Sequence, residues 1–134
     1  MSASSRDALR HLGALATVVV GAVHLQQYAD FMADVPTIGV LFLLNGLGAG
    51  VLAVVLVSRR PILGALGAIG LSASALVAVL ISMTDAGLFD YTEPTFRTAV
   101  VIAVAAEAAA VVLLGAYLAM QSTPSRARVD WTAT

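Results

Sequence analysis

The chain has 134 residues, of which 60% are hydrophobic and only 11% are charged, and its mean hydropathy is +0.95. A typical soluble domain is about 45–50% apolar and about 25% charged, so this composition indicates one integral membrane domain. The net charge of −1 gives no basic surface for nucleic acid, and the absence of cysteine excludes disulfides, thiol redox chemistry and thiolate metal sites.

Four apolar segments predict four membrane-spanning helices. Each segment is about 17–23 residues long, which is enough for a helix to cross about 30 Å of hydrocarbon. The predicted spans are 9–28, 37–57, 62–84 and 98–120, with Pro61 at the start of the third helix and Pro94 in the longest loop. Because the connections are short, we expect an all-α antiparallel four-helix bundle that forms a single domain over residues 1–134.

The distribution of arginine predicts the orientation. Six of the seven basic residues fall on the side of both termini and the middle connection, and only Arg97 falls on the other side. Positive residues concentrate on the cytoplasmic side, so we expect a multi-pass protein of the bacterial plasma (inner) membrane with both termini in the cytoplasm. An alternative is a signal peptide cut after Ala22, although the apolar segment continues to Leu25.

Small residues at four-residue spacing predict the faces through which the helices touch, because membrane helices associate by close packing. These faces carry Gly13, Thr17 and Gly21, continuing to His24, on the first helix; Asn45, Ala49 and Ala53 on the second; Gly70, Ser74, Ala78 and Ser82 on the third; and Ala103, Glu107 and Ala110 on the fourth.

Four polar side chains inside the predicted spans are the candidate ligand or proton site. His24, Asn45, Ser74 and Glu107 lie about 6, 12, 15 and 14 Å below the outer boundary, at about 1.5 Å per residue. All four fall in the outer half of the bilayer, on or beside the small-residue faces. Their convergence on one site is therefore a hypothesis, and the alternative for each is a structural hydrogen bond between helices.

Glu107 carries the strongest functional signal. An ionised acid at this depth costs about 2.5–3.5 kcal/mol if it faces lipid, so we expect it to face the bundle. No Arg lies at its depth, which leaves His24 as the candidate partner. The pair then shares a proton, binds a cation, or is neutral and hydrogen-bonded.

The sequence carries little sign of a catalytic or cofactor site. His24 and Glu107 supply two ligands where a zinc shell needs four, and no nucleophile has a recognisable base and acid. We therefore expect no metal, no cofactor and no catalytic residue. An enzyme or a quinone-linked redox subunit has little support.

The stretch HLQQYADFMADVPTIGVLFLLNGLGAG, followed later by GLFDYTE, resembles a group of small four-span membrane proteins from actinobacteria. The matching positions are His24–Leu25, Ile38–Gly39, Leu41–Asn45 and Gly87–Phe89. The resemblance implies the four-span fold and draws attention to His24 and Asn45. It implies no catalytic role.

The leading expectation is a small membrane protein without a soluble domain that acts as an accessory or assembly subunit of a membrane complex. Its partners would be the lipid bilayer and a membrane protein or a second copy of the chain, with no nucleic acid. The alternative is a small transporter or ligand-binding protein that uses Glu107 and His24 for a proton, a cation or a polar head group.

Overall fold

The computed structural model describes residues 3–93 and 95–122, and within them the fold is all-helical with no extended strand. The helices are α1 (Ala3–Gln27), α2 (Ile38–Val57), α3 (Pro61–Ser82) and α4 (Thr98–Gln121), and a π-helical turn (Tyr28–Met32) directly follows α1. Pro94 and the tail residues Arg126 and Arg128, on which the predictions of the loop and of the orientation partly rest, lie outside the described residues.

The first helix is longer than the sequence predicted, whereas the other three agree with their predicted spans within two residues. α1 begins at Ala3 and not at residue 9, and the π-helical turn extends it to Met32. The residues before residue 9 were left out of the predicted membrane span because they are polar, but they continue the helix toward the N-terminus. Side chains on both sides of Ala22, after which the alternative signal peptide would be cut, are buried in the bundle, among them Val20 and His24.

The helices form a ring in which α1 packs against α2 and α4, and α3 packs against the same two helices. Their antiparallel order is visible in the close approaches along each pair. Gly13 near the start of α1 meets Leu114 near the end of α4, and Gly67 of α3 meets Leu52 of α2. The predicted antiparallel four-helix bundle is thus the observed arrangement of the described helices.

Glycine allows two further close approaches, in which a Cβ atom would crowd the backbone of the neighbouring helix. A Cβ on Gly21 of α1 would lie 3.0 Å from the Gly46 carbonyl oxygen of α2, and one on Gly64 of α3 would lie 2.7 Å from the Leu56 amide nitrogen. Close backbone approach maximises van der Waals packing between helices that both expose apolar side chains.

The predicted contact face of α3 is only partly correct. Gly70 and Ser74 are exposed, and the buried side of α3 instead carries Ala65, Ala68 and Ser72. Both stripes consist of small residues at helical spacing, so residue size alone does not distinguish them. Ser82 is the member of the predicted stripe that is buried.

All four helices are long and apolar enough to cross a membrane, with mean hydropathies of 1.5 to 2.5 over their best windows. The first of these segments includes the π-helical turn and runs from Ser4 to Met32. The helical fold therefore meets the length and composition requirements of a multi-pass membrane protein.

We predict that Gly64→Ala destabilises the bundle by about 1–3 kcal/mol, because the new methyl group overlaps the α2 backbone and forces α3 away from it. The matched control is Gly70→Ala, whose Cβ would have no neighbour within 4 Å. That change should leave stability equal or raise it by up to about 1 kcal/mol, since alanine favours helix. Thermal unfolding in mild detergent measures both, and equal midpoints for the two variants would contradict the proposed contact.

Candidate functional site

His24 and Glu107 lie side by side in the interior of the bundle. The Nε2 atom of His24 is 3.6 Å from Oε1 of Glu107, within ion-pair range but longer than a hydrogen bond. Glu107 is fully buried and His24 is 7% exposed. Because α1 and α4 run antiparallel, a residue late in α1 meets a residue in the first half of α4.

One hydrogen bond determines which ring nitrogen of His24 carries a hydrogen. Its Nδ1 atom is 2.9 Å from the carbonyl oxygen of Val20, one helical turn earlier. A carbonyl only accepts, so Nδ1 carries a hydrogen and donates it. Nε2, on the Glu107 side, therefore holds a lone pair in the neutral ring and a second N–H in the charged ring.

The pair has two arrangements with the same total charge. In one, a neutral imidazole faces a protonated carboxyl group, and in the other an imidazolium faces a carboxylate. Each holds one titratable proton between Nε2 and the Glu107 carboxyl, and each is neutral overall. One proton can move between the two groups without leaving an unpaired charge in the bundle, whereas its release leaves a carboxylate that needs a cation to balance it.

The pair lines a partly open cavity of about 100 Å³ that extends from Glu107 to the loop between α3 and α4. A single water needs about 10–15 Å³ on this measure, so the cavity has room for several waters or one small polar molecule. Its lining residues are His24, Gln27, Ile38, Leu41, Phe42, Asn45, Ala75, Ala78, Val79, Ser82, Leu88, Tyr91, Glu93, Val100, Ala103 and Glu107.

Three of the four predicted site residues meet here. His24, Asn45 and Glu107 all line the cavity, so the predicted convergence holds for them. Ser74 does not line this cavity: it is exposed, its hydroxyl donates to the Leu71 carbonyl at 2.8 Å, and it lines an adjoining surface groove that shares Asn45 with the cavity. The prediction for Ser74 is wrong because α3 turns a different small-residue stripe inward.

The cavity also contains polar residues that the sequence analysis did not select. Gln27 follows His24 by one helical turn and is 3% exposed, and its Oε1 atom has no hydrogen-bond partner among the described residues. Asn45 Oδ1 and both carboxylate oxygens of Glu107 are likewise buried and unpartnered there. The spacing of Gln27 from His24 could have predicted that both face the same site. Gln27 was not selected because it lies beside the predicted end of the first span.

Tyr91 and Glu93 line the loop end of the cavity and form a hydrogen-bonded cluster with Arg97. The Glu93 carboxylate accepts hydrogen bonds from Tyr91 Oη at 2.8 Å and from Arg97 Nε and Nη2 at 3.0 and 2.8 Å. The Glu93 amide also donates to the Ser82 carbonyl at the end of α3, at 2.9 Å. The Arg97 guanidinium lies 5.3 Å from the centroid of the Phe31 ring. The cluster therefore connects the end of α3, the start of α4 and the turn after α1.

Charge and burial in this loop cluster shift the pKa values of Glu93 and Tyr91. Burial raises the pKa of the Glu93 carboxyl, but the hydrogen bonds from Arg97 and Tyr91 and the Arg97 charge outweigh burial, so the net pKa is lowered. Burial, followed by the hydrogen bond to Glu93, raises the pKa of Tyr91 to about 12. Glu93 is thus a carboxylate whose charge is already paired.

A tight turn shapes the loop above the cavity. Leu88 and Tyr91 exchange backbone hydrogen bonds of 2.8 and 3.0 Å. The two residues between them, Phe89 and Asp90, have positive φ angles of 50° and 62°, as in the type I′ turns that join hairpins. Positive φ is unfavourable for Phe89, and the turn presents Leu88 and Tyr91 to the cavity.

No group of three or more His, Cys, Asp or Glu side chains within residues 3–93 and 95–122 is arranged to hold a metal ion. Comparison with protein-family models, with curated proteins and with solved structures gives no match to this chain.

We predict that Glu93→Gln lowers stability by about 1–3 kcal/mol at neutral pH, because it removes the charge that holds two hydrogen-bond donors. Since folding lowers the pKa of Glu93, its contribution is complete above the ordinary glutamate pKa of about 4.3 and is lost as the pH falls through the lowered value. Thermal unfolding at a series of pH values should show the two proteins converging in acid.

The matched control for this loop is Asp85→Asn, which removes an exposed carboxylate nearby. It should change the unfolding midpoint little at any pH. A difference between wild type and Glu93→Gln that stays constant down to pH 2 would contradict the ion-pair explanation.

Proposed function

We propose that this chain is a small multi-pass integral membrane protein that holds one exchangeable proton between His24 and Glu107 and binds a polar or cationic ligand beside them. The observation that carries the proposal is a fully buried carboxyl group, 3.6 Å from an imidazole, whose two oxygens face a cavity without hydrogen-bond partners among the described residues. Buried polar groups are ordinarily satisfied, so an unsatisfied pair in a cavity supports a binding role.

The distribution of side chains supports membrane embedding. Large apolar residues cover the outside of the helices, with Val51, Leu80 and Val112 exposed by 63%, 65% and 68%. The fully buried positions instead include polar side chains, among them Thr17, Ser72 and Glu107. A soluble bundle shows the opposite pattern, so lipid is the solvent that suits this surface.

The arginine distribution supports an orientation with both termini in the cytoplasm of a bacterium and the cavity mouth on the outer side of the plasma membrane. Arg59 and Arg60, in the connection between α2 and α3, lie at the end of the bundle opposite the α3–α4 loop. The resemblance to small actinobacterial four-span proteins is consistent with this placement and remains part of the proposal.

A second candidate function is that of an accessory or assembly subunit of a membrane complex. The observation that favours it is the outward position of Gly70 and Ser74, two small residues one helical turn apart that no other helix of the bundle covers. Such residues permit close approach of another helix, from a partner protein or a second copy. A protein that co-purifies in mild detergent, together with no titrating proton at Glu107, would favour this role.

The orientation is testable because the chain has no native cysteine. We predict that Ala86→Cys, in the exposed part of the α3–α4 loop, is labelled in intact cells by a membrane-impermeant maleimide. Ser58→Cys, exposed between α2 and α3, should be labelled only after the cells are broken. The reverse labelling pattern would invert the proposed topology, and labelling of both sites in intact cells would contradict membrane embedding.

We predict that Glu107→Gln removes a titrating carboxylic acid without loss of fold. Infrared spectroscopy of the purified protein should show the carbonyl band of a protonated carboxylic acid that disappears as the pH rises, and that band should be absent in Glu107→Gln. Thermal stability should be equal or higher in the variant, because a neutral amide replaces a buried ionisable group.

Ser74→Ala is the matched control, because Ser74 lies outside the cavity, and it should leave the infrared band unchanged. If Glu107→Gln lowers thermal stability while the carboxylic acid band persists, Glu107 has a purely structural role and the proposal is contradicted.

A further inference from the structure

We propose that the His24–Glu107 site selects a small monovalent cation of the ammonium type, either ammonium itself or a small primary amine, and takes it up in exchange for the shared proton. This inference rests on the proposed function, because it names the ligand of the same cavity.

The fully buried polar atoms of the cavity that lack a hydrogen-bond partner are acceptors. Both carboxylate oxygens of Glu107, Oε1 of Gln27 and Oδ1 of Asn45 are buried without a hydrogen-bond partner among the described residues. His24 adds Nε2, whose lone pair is free whenever the ring is neutral, since Nδ1 donates to Val20. A ligand that satisfies this set must donate hydrogen bonds in several directions, as an N–H cation does.

The charge of the cavity limits the ligand to one positive charge. Its titratable groups are His24 from α1, Glu107 from α4, and Tyr91 and Glu93 from the loop, whereas α2 and α3 contribute the uncharged Asn45 and Ser82. Glu93 is already paired with Arg97. Glu107 is thus the single carboxylate free to balance a ligand, and a divalent ion would leave an unpaired charge in an apolar surrounding.

The chemistry of the walls favours an ammonium group over a metal cation. Hard metal ions prefer a shell of six or more oxygen ligands, and this cavity offers four free oxygens and an imidazole nitrogen. The ring of Phe42 lies 5.0 Å from the His24 ring, centroid to centroid, and lines the same cavity. An aromatic face attracts an ammonium cation, and an ammonium group donates to oxygen and nitrogen acceptors alike. The volume of about 100 Å³ sets the upper size.

Binding requires the shared proton to leave. Before binding, the pair and its proton are neutral, and after binding a carboxylate, a neutral imidazole and one cation are again neutral. The proton passes to water, and no covalent bond other than the one to that proton changes. The site therefore exchanges one cation for one proton, and the apparent affinity should rise about tenfold per pH unit while the pair holds its proton.

The test uses the full chain in mild detergent and weakly buffered solution, with a pH indicator that counts released protons. The probes are the chlorides of ammonium, methylammonium, sodium, potassium and tetraethylammonium at equal ionic strength. We expect ammonium and methylammonium to release one proton per chain and the other three to release none. Glu107→Gln should lower ammonium affinity at least about 30-fold, and Ser74→Ala should not change it.

Each outcome of the comparison is decisive. Equal binding of potassium or sodium would show that the site does not select ammonium. Ammonium binding without proton release would show that no cation–proton exchange takes place. Either result overturns the inference. If the infrared band of Glu107 titrates but no cation displaces its proton, the inference fails while the proton-holding function stands. If neither occurs, both fail. Because the cation series is measured on the wild-type chain, the result does not depend on the folding of any variant.

Discussion

The close approach of α1 to its neighbours is the constraint on which the rest of the structure depends. A Cβ atom on Gly13 would overlap the Leu114 side chain of α4, and one on Gly21 would lie only 3.0 Å from the Gly46 carbonyl oxygen of α2. This packing aligns α1 with both neighbours and brings His24 within 3.6 Å of Glu107. Small residues, which carry no chemistry themselves, thereby determine the distance between the two groups that do.

The bundle places its polar groups at two levels with different electrostatic roles. At the loop end, Glu93, Arg97 and Tyr91 satisfy one another and connect three elements of the fold, so their charges stabilise the loop end of the cavity. Deeper in the bundle, Glu107 has one imidazole beside it and no hydrogen-bond partner among the described residues. The charges and hydrogen bonds of the loop cluster are paired, whereas the Glu107 carboxyl group has no hydrogen-bond partner among the described residues. A ligand would therefore gain more binding free energy at the deeper level.

Apolar length and loop signals were enough to predict four helices, their antiparallel order and the position of Pro61 at the start of α3. Helix spacing and depth also suggested the hypothesis that His24, Asn45 and Glu107 converge on one site, although they placed Ser74 there as well. The inward face of α3 was not predictable, because Ser72 and Ser74 are equally small and the helix is apolar all round. The hydrogen bonds of Glu93 depend on how the loop folds over the bundle, and periodicity carries no information about a loop. Gln27 was missed because it sits where the predicted span approaches its end.

The hydrogen bond from His24 Nδ1 to the Val20 carbonyl limits how the imidazole can pass on a proton. An imidazole conducts protons when it accepts at one nitrogen and releases from the other, and here one nitrogen is committed to the backbone. Toward the other end of the bundle, the path is filled by an apolar cluster that includes Ala14, Leu56 and Leu114. This apolar cluster closes the cavity toward that end of the bundle in this conformation. The cavity is thus a pocket and not a continuous channel, and passage of an ion along the whole bundle would require the helices to rearrange.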